Sequence, residues 1–397
     1  MTARTPDLLV IGGGPAGLAT AIRARQAGLS VTLLDGGSPP IDKACGEGLM
    51  PDGAALLQTL GVVIPPDRCR PFRGIRYLED DLVVEGPFPG PPGIGVRRTD
   101  LHAALVRRAV AVGVDLRWGV RVEGLHGDPR GPHGAGVIAA RGPGGGRAES
   151  GPGPLRARFV VAADGLHSPL RRAAGLEGRP ARARRFGLRR HFAIAPWTDH
   201  VEVHWGDGVE AYVTPLGADL VGVALLFAEQ APDFDRQLRR FPALAARIAG
   251  AAQASRQRGA GPLEQRVRGV VRGNLALVGD AAGYLDAITG EGLSLALHDA
   301  FAVVAAMVRG DLAAYAAAHR RIARVPAALT RLVLFIERRP RVRRRVMRAL
   351  AADPRLLRAL LSVHVRVRPP APVAAWVLPR LAWRLARPLR PLPPSFE

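Results

Sequence analysis

Asp7-Leu-Leu-Val-Ile-Gly-Gly-Gly-Pro-Ala-Gly-Leu18, followed by Val31-Thr-Leu-Leu-Asp35, decides the fold. Leu8 to Ile11 predict a short buried strand. Ala16, Ala19, Ile22 and Ala27 then recur at helical spacing until Gly28. Gly12, Gly14 and Gly17 have the G-x-G-x-x-G spacing. The first glycine permits a tight turn, the second lets a pyrophosphate approach the backbone, and the third lets the helix pack on the strand. Pro15 suits a first helical turn, where no N–H is needed, and that turn offers free N–H groups to phosphate oxygens. Asp35 closes the second strand, placed to accept from ribose hydroxyls. A glycine turn that merely packs a helix on a sheet leaves Asp35 unexplained. The whole unit reads as a dinucleotide-binding βαβ, and its N-terminal position points to FAD.

The 397 residues suffice for two or three domains with sizeable cores. No apolar run approaches the ~20 residues of a membrane span, and the chain enters its first strand directly. No leader is expected, and the cytoplasm is the expected location. Cys45 and Cys69 are too few for a disulfide framework. With the scattered histidines they match no metal-ligand spacing, so no metal is expected. The net charge is +22, yet Lys43 is the only lysine beside 55 arginines. The arginines are scattered and no nucleic-acid-binding motif accompanies them, so no nucleic-acid partner is expected.

Beyond the βαβ unit, residues 36–70 read as a loop and helix, and 71–97 as a short β excursion. A helix opens at Arg98, and a strand is predicted from Arg117 to Leu125. Gly127 to Pro154 read as a long hairpin or loop, and Phe159 to Asp164 as a buried strand. From about 186 to 227 the alternation predicts antiparallel β structure. Pro232 to Gln257 are predicted helical. Leu275 to Val278 form another buried strand, Leu293 to Val308 a long helix, and 311–397 a basic helical region broken by prolines.

Two further motifs follow buried strands: Asp164-Gly-Leu-His-Ser-Pro-Leu-Arg171 and Leu277-Val-Gly-Asp-Ala-Ala-Gly283. Together with the N-terminal unit they resemble the three fingerprints of the para-hydroxybenzoate hydroxylase and geranylgeranyl reductase superfamily of FAD enzymes. The resemblance implies an α/β fold: a Rossmann-like FAD-binding domain of glutathione reductase type, an inserted antiparallel β-sheet substrate domain, and a C-terminal helical region. The expected division is 1–70, 96–175 and 265–310 for FAD, 71–95 and 176–264 for substrate, and 311–397 for the helices. The resemblance gives the DG element, with Asp164, a role in supporting FAD and reduced nicotinamide. It gives Asp280, after Gly279, a contact with the ribityl chain, and Arg98 a place beside FAD. Gly290, Glu291, Gly292 and Leu293 lead a long helix whose N–H groups suit the pyrimidine end of the flavin. Gly12, Gly14, Pro15, Ala16, Gly17 and Asp35 complete the expected cofactor set.

The hydroxylase pattern has proline at the position of Ala287, and Gln and Asn at those of Glu291 and Ser294. Cys45-Gly-Glu-Gly-Leu49 is closer to the reductase branch, which has a similar loop near the flavin. Cys45, Glu47, Tyr212 and Asp286 are the candidate catalytic residues, with Glu291 a further acid by position. For Cys45 and Tyr212, burial as plain core is the competing reading, and His167 and His204 read as structural. FAD is the expected cofactor and NAD(P)H its transient reductant, since no second complete dinucleotide fingerprint appears. The expected reaction is hydroxylation of a hydrophobic aromatic or polyketide-like molecule. The alternatives are reduction of a C=C bond in an isoprenoid or lipid, and a non-redox, FAD-dependent cyclisation. Leu356, Leu357, Leu360 and Leu361, then Trp376, Leu378, Leu381 and Trp383, lie among arginines. They fit either a helical layer packed on the flavin domain or helices lying in a membrane interface.

Overall fold

The computed structural model describes residues 5–131, 134–141, 154–180, 184–228 and 233–386. Leu8–Ile11 is flanked on both sides by parallel partners, Val31–Asp35 and Phe159–Ala162. Its four apolar side chains are all buried, as expected of a strand covered on both faces. Asp115–Trp118 and Leu275–Leu277 extend the sheet in parallel on either side, and Val271–Arg272 adds an antiparallel edge. The helices Pro15–Gln26, Arg98–Ala111 and Gly292–Val308 pack around it, and their apolar faces merge into one core.

The second sheet has eight strands. Phe186–Ala193, Val221–Phe227, Val209–Pro215 and His200–Gly206 form an antiparallel run. The sheet is antiparallel as expected except at one seam, where His200–Gly206 runs parallel to Gly74–Glu79. That seam joins the early hairpin, Gly74–Glu79 with Leu82–Pro87, to the later strands. Side-chain alternation gives the sheet two apolar faces. Val209, Ala211, Val213 and Val223 pack under the short helices Phe234–Leu238 and Pro242–Ile248. Ile75, Val84, Val203 and Trp205 pack under the C-terminal helices through Met347, Leu357, Leu361 and Val377.

Three local expectations change. The helix expected over Pro232 to Gln257 is two short helices, broken before Pro242 and ended at Ile248, and the stretch beyond pairs with Phe186–Ala193 as Ala252–Gln253 and Arg258–Ala260. The predicted strand from Arg117 to Leu125 is two strands, split at Gly119, which adopts φ +72°. Val120–His126 leaves the parallel sheet and pairs with Gly136–Arg141. Of the predicted loop, residues 132–133 and 142–153 lie outside the described residues.

Candidate active site

The glycine turn is built by close approach. A Cβ on Gly17 would lie 1.8 Å from the Gly12 carbonyl oxygen, and Gly12, at φ +108°, has Ala163 O where its own Cβ would be. Gly14 differs. The nearest atom to a Cβ there is Arg98 Nη2, at 3.6 Å. The Arg98 side chain is buried and its Nε has no hydrogen-bond partner. An open backbone edge beneath a guanidinium, at a helix start that carries no side-chain cap, fits a diphosphate.

Asp35 steadies this turn. Its Oδ2 accepts from Gly13 N–H (2.6 Å) and its Oδ1 from Gly37 N–H (2.7 Å), and each oxygen retains a lone pair for a ribose hydroxyl. His102, which sequence reasoning passed over as part of a helix opening, braces the turn from the other side. Burial pushes its pKa down, so the ring is neutral. Nδ1 accepts from Ile41 N–H (3.5 Å), which leaves Nε2–H to donate to Gly13 O (2.9 Å). No local pattern marks this role, because it depends on a contact across 89 residues.

The DG and GD motifs meet through Arg171. Its buried guanidinium donates to Leu166 O (2.9 Å), Gln265 Oε1 (3.0 Å), Ala281 O (3.3 Å) and Asp280 O (3.4 Å). Asp164 accepts from Leu170 N–H (3.1 Å), and Ser168 caps the short helix by accepting from Arg171 N–H (2.9 Å). Asp280 projects from this junction. Its side chain is exposed, yet the surrounding walls push its carboxyl pKa up while Arg98 and Lys43 pull it down. Lys43 Nζ lies over Gly165, 3.4 Å from where a Cβ would stand. Gly14, Arg98, Lys43 and Asp280 therefore form one charged rim. Gly279, at φ +58°, packs against Ala16, and so brings the first and third fingerprints together.

The Cys45-Gly-Glu-Gly loop faces that rim. Glu47 adopts φ +59°, a left-handed conformation that non-glycine residues rarely take. Its buried carboxylate holds it there. Oε1 accepts from Arg98 N–H (2.7 Å), and Oε2 lies 2.5 Å from His191 Nε2. Arg189 donates to His191 Nδ1 (3.2 Å), so the proton on that ring sits on Nε2 and points at Glu47. Arg189 also grips Asp42 and donates to Lys43 O (3.2 Å). Glu47 thus anchors the loop in the second sheet. Cys45 Sγ accepts from Glu47 N–H (3.3 Å), and burial pushes the thiol pKa up.

Asp286 and Tyr212 lie beneath the next loop. Asp286 Oδ2 lies 2.9 Å from Arg185 Nε, and its Oδ1 accepts from Ile288 N–H (3.0 Å). The Tyr212 hydroxyl donates to Ile288 O (2.9 Å). Both side chains hold the segment that leads to Gly290. Tyr284, missed in the sequence, packs its ring and hydroxyl over Gly292, the first residue of the Gly292–Val308 helix. Burial raises its phenol well above the ordinary value, and Asp280, Asp286 and Cys45 push it further. Its position four residues after Asp280 was the available signal. Leu293 follows Gly292 in the uncapped first turn of that helix. Glu291 turns toward the C-terminal layer, its Oε2 3.6 Å from His364 Nδ1. Ser294 is small where the helix Pro51–Thr59 crosses: a Cβ on Gly53 would lie 2.4 Å from its Oγ.

Residues 5–203 match the FAD binding domain family. A menaquinone reductase of Mycolicibacterium smegmatis (strain ATCC 700084 / mc(2)155) is 30% identical over 332 residues, covering 79% of this chain and 78% of that protein. A 6-methylpretetramide 4-monooxygenase of Streptomyces rimosus is 28% identical over 338 residues, covering 77% and 75%. Among solved structures, a flavoprotein/dehydrogenase from Cytophaga hutchinsonii superposes with a TM-score of 0.78 at 18% identity, covering 90% of this chain and 92% of that one. A mutant of the halogenase PltM in complex with FAD gives a TM-score of 0.72 at 17% identity, covering 96% and 86%.

Proposed function

Since the chain belongs to the FAD binding domain family and is a FAD-dependent oxidoreductase, we propose that it reduces a carbon–carbon double bond in an apolar, isoprenoid- or quinone-like molecule, with NAD(P)H reducing its flavin. The observation that carries this reading is geometric: the loop that Glu47 anchors sets the Cys45 thiol beside Arg98 and the charged rim. Cys45 and Tyr284 are half-buried, and desolvation pushes the thiol and the phenol above their ordinary pKa values. The carboxylates of Glu47 and Asp286 are engaged, by His191 and Arg185 respectively. Hydroxylation of a phenol asks for a base that takes the substrate's proton. Saturation of an alkene asks for an acid that gives one. The thiol beside the rim is a proton donor.

FAD, when bound, supplies the hydride chemistry. Arg98 and the Gly14 backbone hold its diphosphate, Asp280 its ribityl hydroxyls, and the Gly292 and Leu293 N–H groups its pyrimidine edge. Cys45 gives the proton, and Tyr284 orients the substrate. The test is anaerobic turnover of menaquinone or a geranylgeranyl lipid by the NADPH-reduced protein, with a product that stays heavier by two hydrogens after any quinol has been reoxidised to the quinone. Cys45→Ala is expected to lower kcat about 100-fold or more with flavin absorbance unchanged. A hydroxylase reading is favoured by the similarity to the Streptomyces rimosus monooxygenase along most of the chain. Oxygen uptake matched to hydroxylated product, with no anaerobic turnover, would establish that reading instead.

A further inference from the structure

We propose that the basic helical layer of residues 313–386 docks on an anionic lipid surface. The layer comprises the helices Ala313–Glu337, Pro340–Ala351, Pro354–His364 and Pro370–Ala386. It carries 17 arginines, no lysine, and two acids, Glu337 and Asp353. Both acids are taken up internally: Glu337 is buried beside Arg185 (3.6 Å), and Asp353 pairs with Arg384 (3.3 Å). Thirteen of the arginines are exposed.

Charge alone suits any polyanion, but the exposed apolar side chains select a lipid. Leu332 and Phe335 on the longest helix are 50% and 49% exposed, and Leu378 and Trp383 on the last helix 61% and 52%. Arginines accompany them: the Arg339 guanidinium lies 3.9 Å from the Phe335 ring centre, and that of Arg384 lies 5.9 Å from the Trp383 ring centre. An apolar side chain beside a cation matches the head-group boundary, where the first enters the acyl region and the second stays with the phosphates. Phosphates of a nucleic acid give leucines nothing to bury against.

A cleft supports the same assignment. It measures about 350 Å³ and is walled by Val325, Pro326, Val363 and Val367, with Arg366 and Glu291 also on its lining. It therefore runs from the basic layer to the residue that precedes the flavin-facing helix. An apolar molecule carried in a bilayer would have a route from this face toward the site. Among the described residues no helix is long and apolar enough to cross a membrane, so the contact is peripheral.

The test uses the full, FAD-loaded chain with sedimenting vesicles of phosphatidylcholine, alone or mixed with phosphatidylglycerol. The protein is expected to sediment with the mixed vesicles only, and less so at high salt. The combined variant Arg338→Gln, Arg341→Gln, Arg345→Gln and Arg355→Gln is expected to bind at least tenfold more weakly, since each surface arginine near anionic lipid contributes about fivefold. Leu378→Ser with Trp383→Ser is expected to weaken binding about tenfold, with Tm and flavin absorbance unchanged. Failure to sediment with the mixed vesicles at low salt overturns the proposal. So does vesicle binding that ignores Leu378 and Trp383 and is abolished by duplex DNA, an outcome that would assign the face to nucleic acid. Neither readout depends on catalytic turnover.

Discussion

A methyl group distinguishes the glycines of the N-terminal turn. At Gly17 it would fall 1.8 Å from a backbone oxygen, whereas at Gly14 it meets nothing closer than Arg98. Gly17→Ala is therefore expected to destabilise the fold by about 1–3 kcal/mol or more. Gly14→Ala is expected to melt like the parent and bind FAD at least tenfold more weakly, because its methyl occupies the diphosphate's approach. Melting curves and flavin titration separate the two effects. Wild-type FAD affinity in Gly14→Ala would move the cofactor elsewhere. The spacing of the glycines was legible in the sequence because each answers a local backbone demand. His102, Arg171 and Tyr284 were not, because each acts on a loop that only folding brings near.

Between elements, two buried guanidinium groups act as rivets. Arg185 Nη2 lies 2.6 Å from Glu210, Nε 2.9 Å from Asp286 and Nη1 3.6 Å from Glu337, which links strand, flavin-side loop and C-terminal helix. Burial pushes the Glu210 pKa up to about 8, although Arg185 pulls against it. Between an ordinary glutamate value near 4.5 and about 8, the native protein keeps a proton that the unfolded chain has released. Glu210's contribution therefore makes stability fall as pH rises through that window and stay level above it. Glu210→Gln should flatten this slope in urea midpoints compared near about pH 6 and about pH 9. Arg343 is the second rivet, donating to Glu79 (2.8 Å), Asp207 (3.0 Å) and the carbonyls of Glu337 (3.1 Å) and Gly206 (3.3 Å). Arg343→Ala leaves Glu79 buried without its cation, and chemical denaturation should register a loss of about 3–5 kcal/mol.

For the whole molecule, the C-terminal layer completes the second sheet. Leu356, Leu357, Leu361, Met347, Val373 and Val377 are buried against its outer face. At about 1.5–3 kcal/mol for each such side chain, their burial is comparable to the entire stability of a typical domain. Deletion of residues 340–397 should therefore yield aggregated protein in size-exclusion chromatography. A soluble, FAD-binding truncation would mean that the flavin core folds independently of this layer. The leucines of Pro354–His364 thus serve the core, and the layer's exposed apolar side chains, Leu332, Phe335, Val367, Leu378 and Trp383, lie outside that helix.

The dinucleotide-binding unit, the two later fingerprints and the alternation of strand and helix were legible in the order of the residues. These are written in neighbouring residues, through side-chain period and the conformations glycine permits. The anchoring of its loop by Glu47, the hold of Arg185 on Asp286 and the parallel seam of the second sheet arise only on folding. Each of these depends on groups distant in the chain meeting where water is excluded. There, an unpaired charge is costly enough to fix its partner, and no local pattern records which partner that will be.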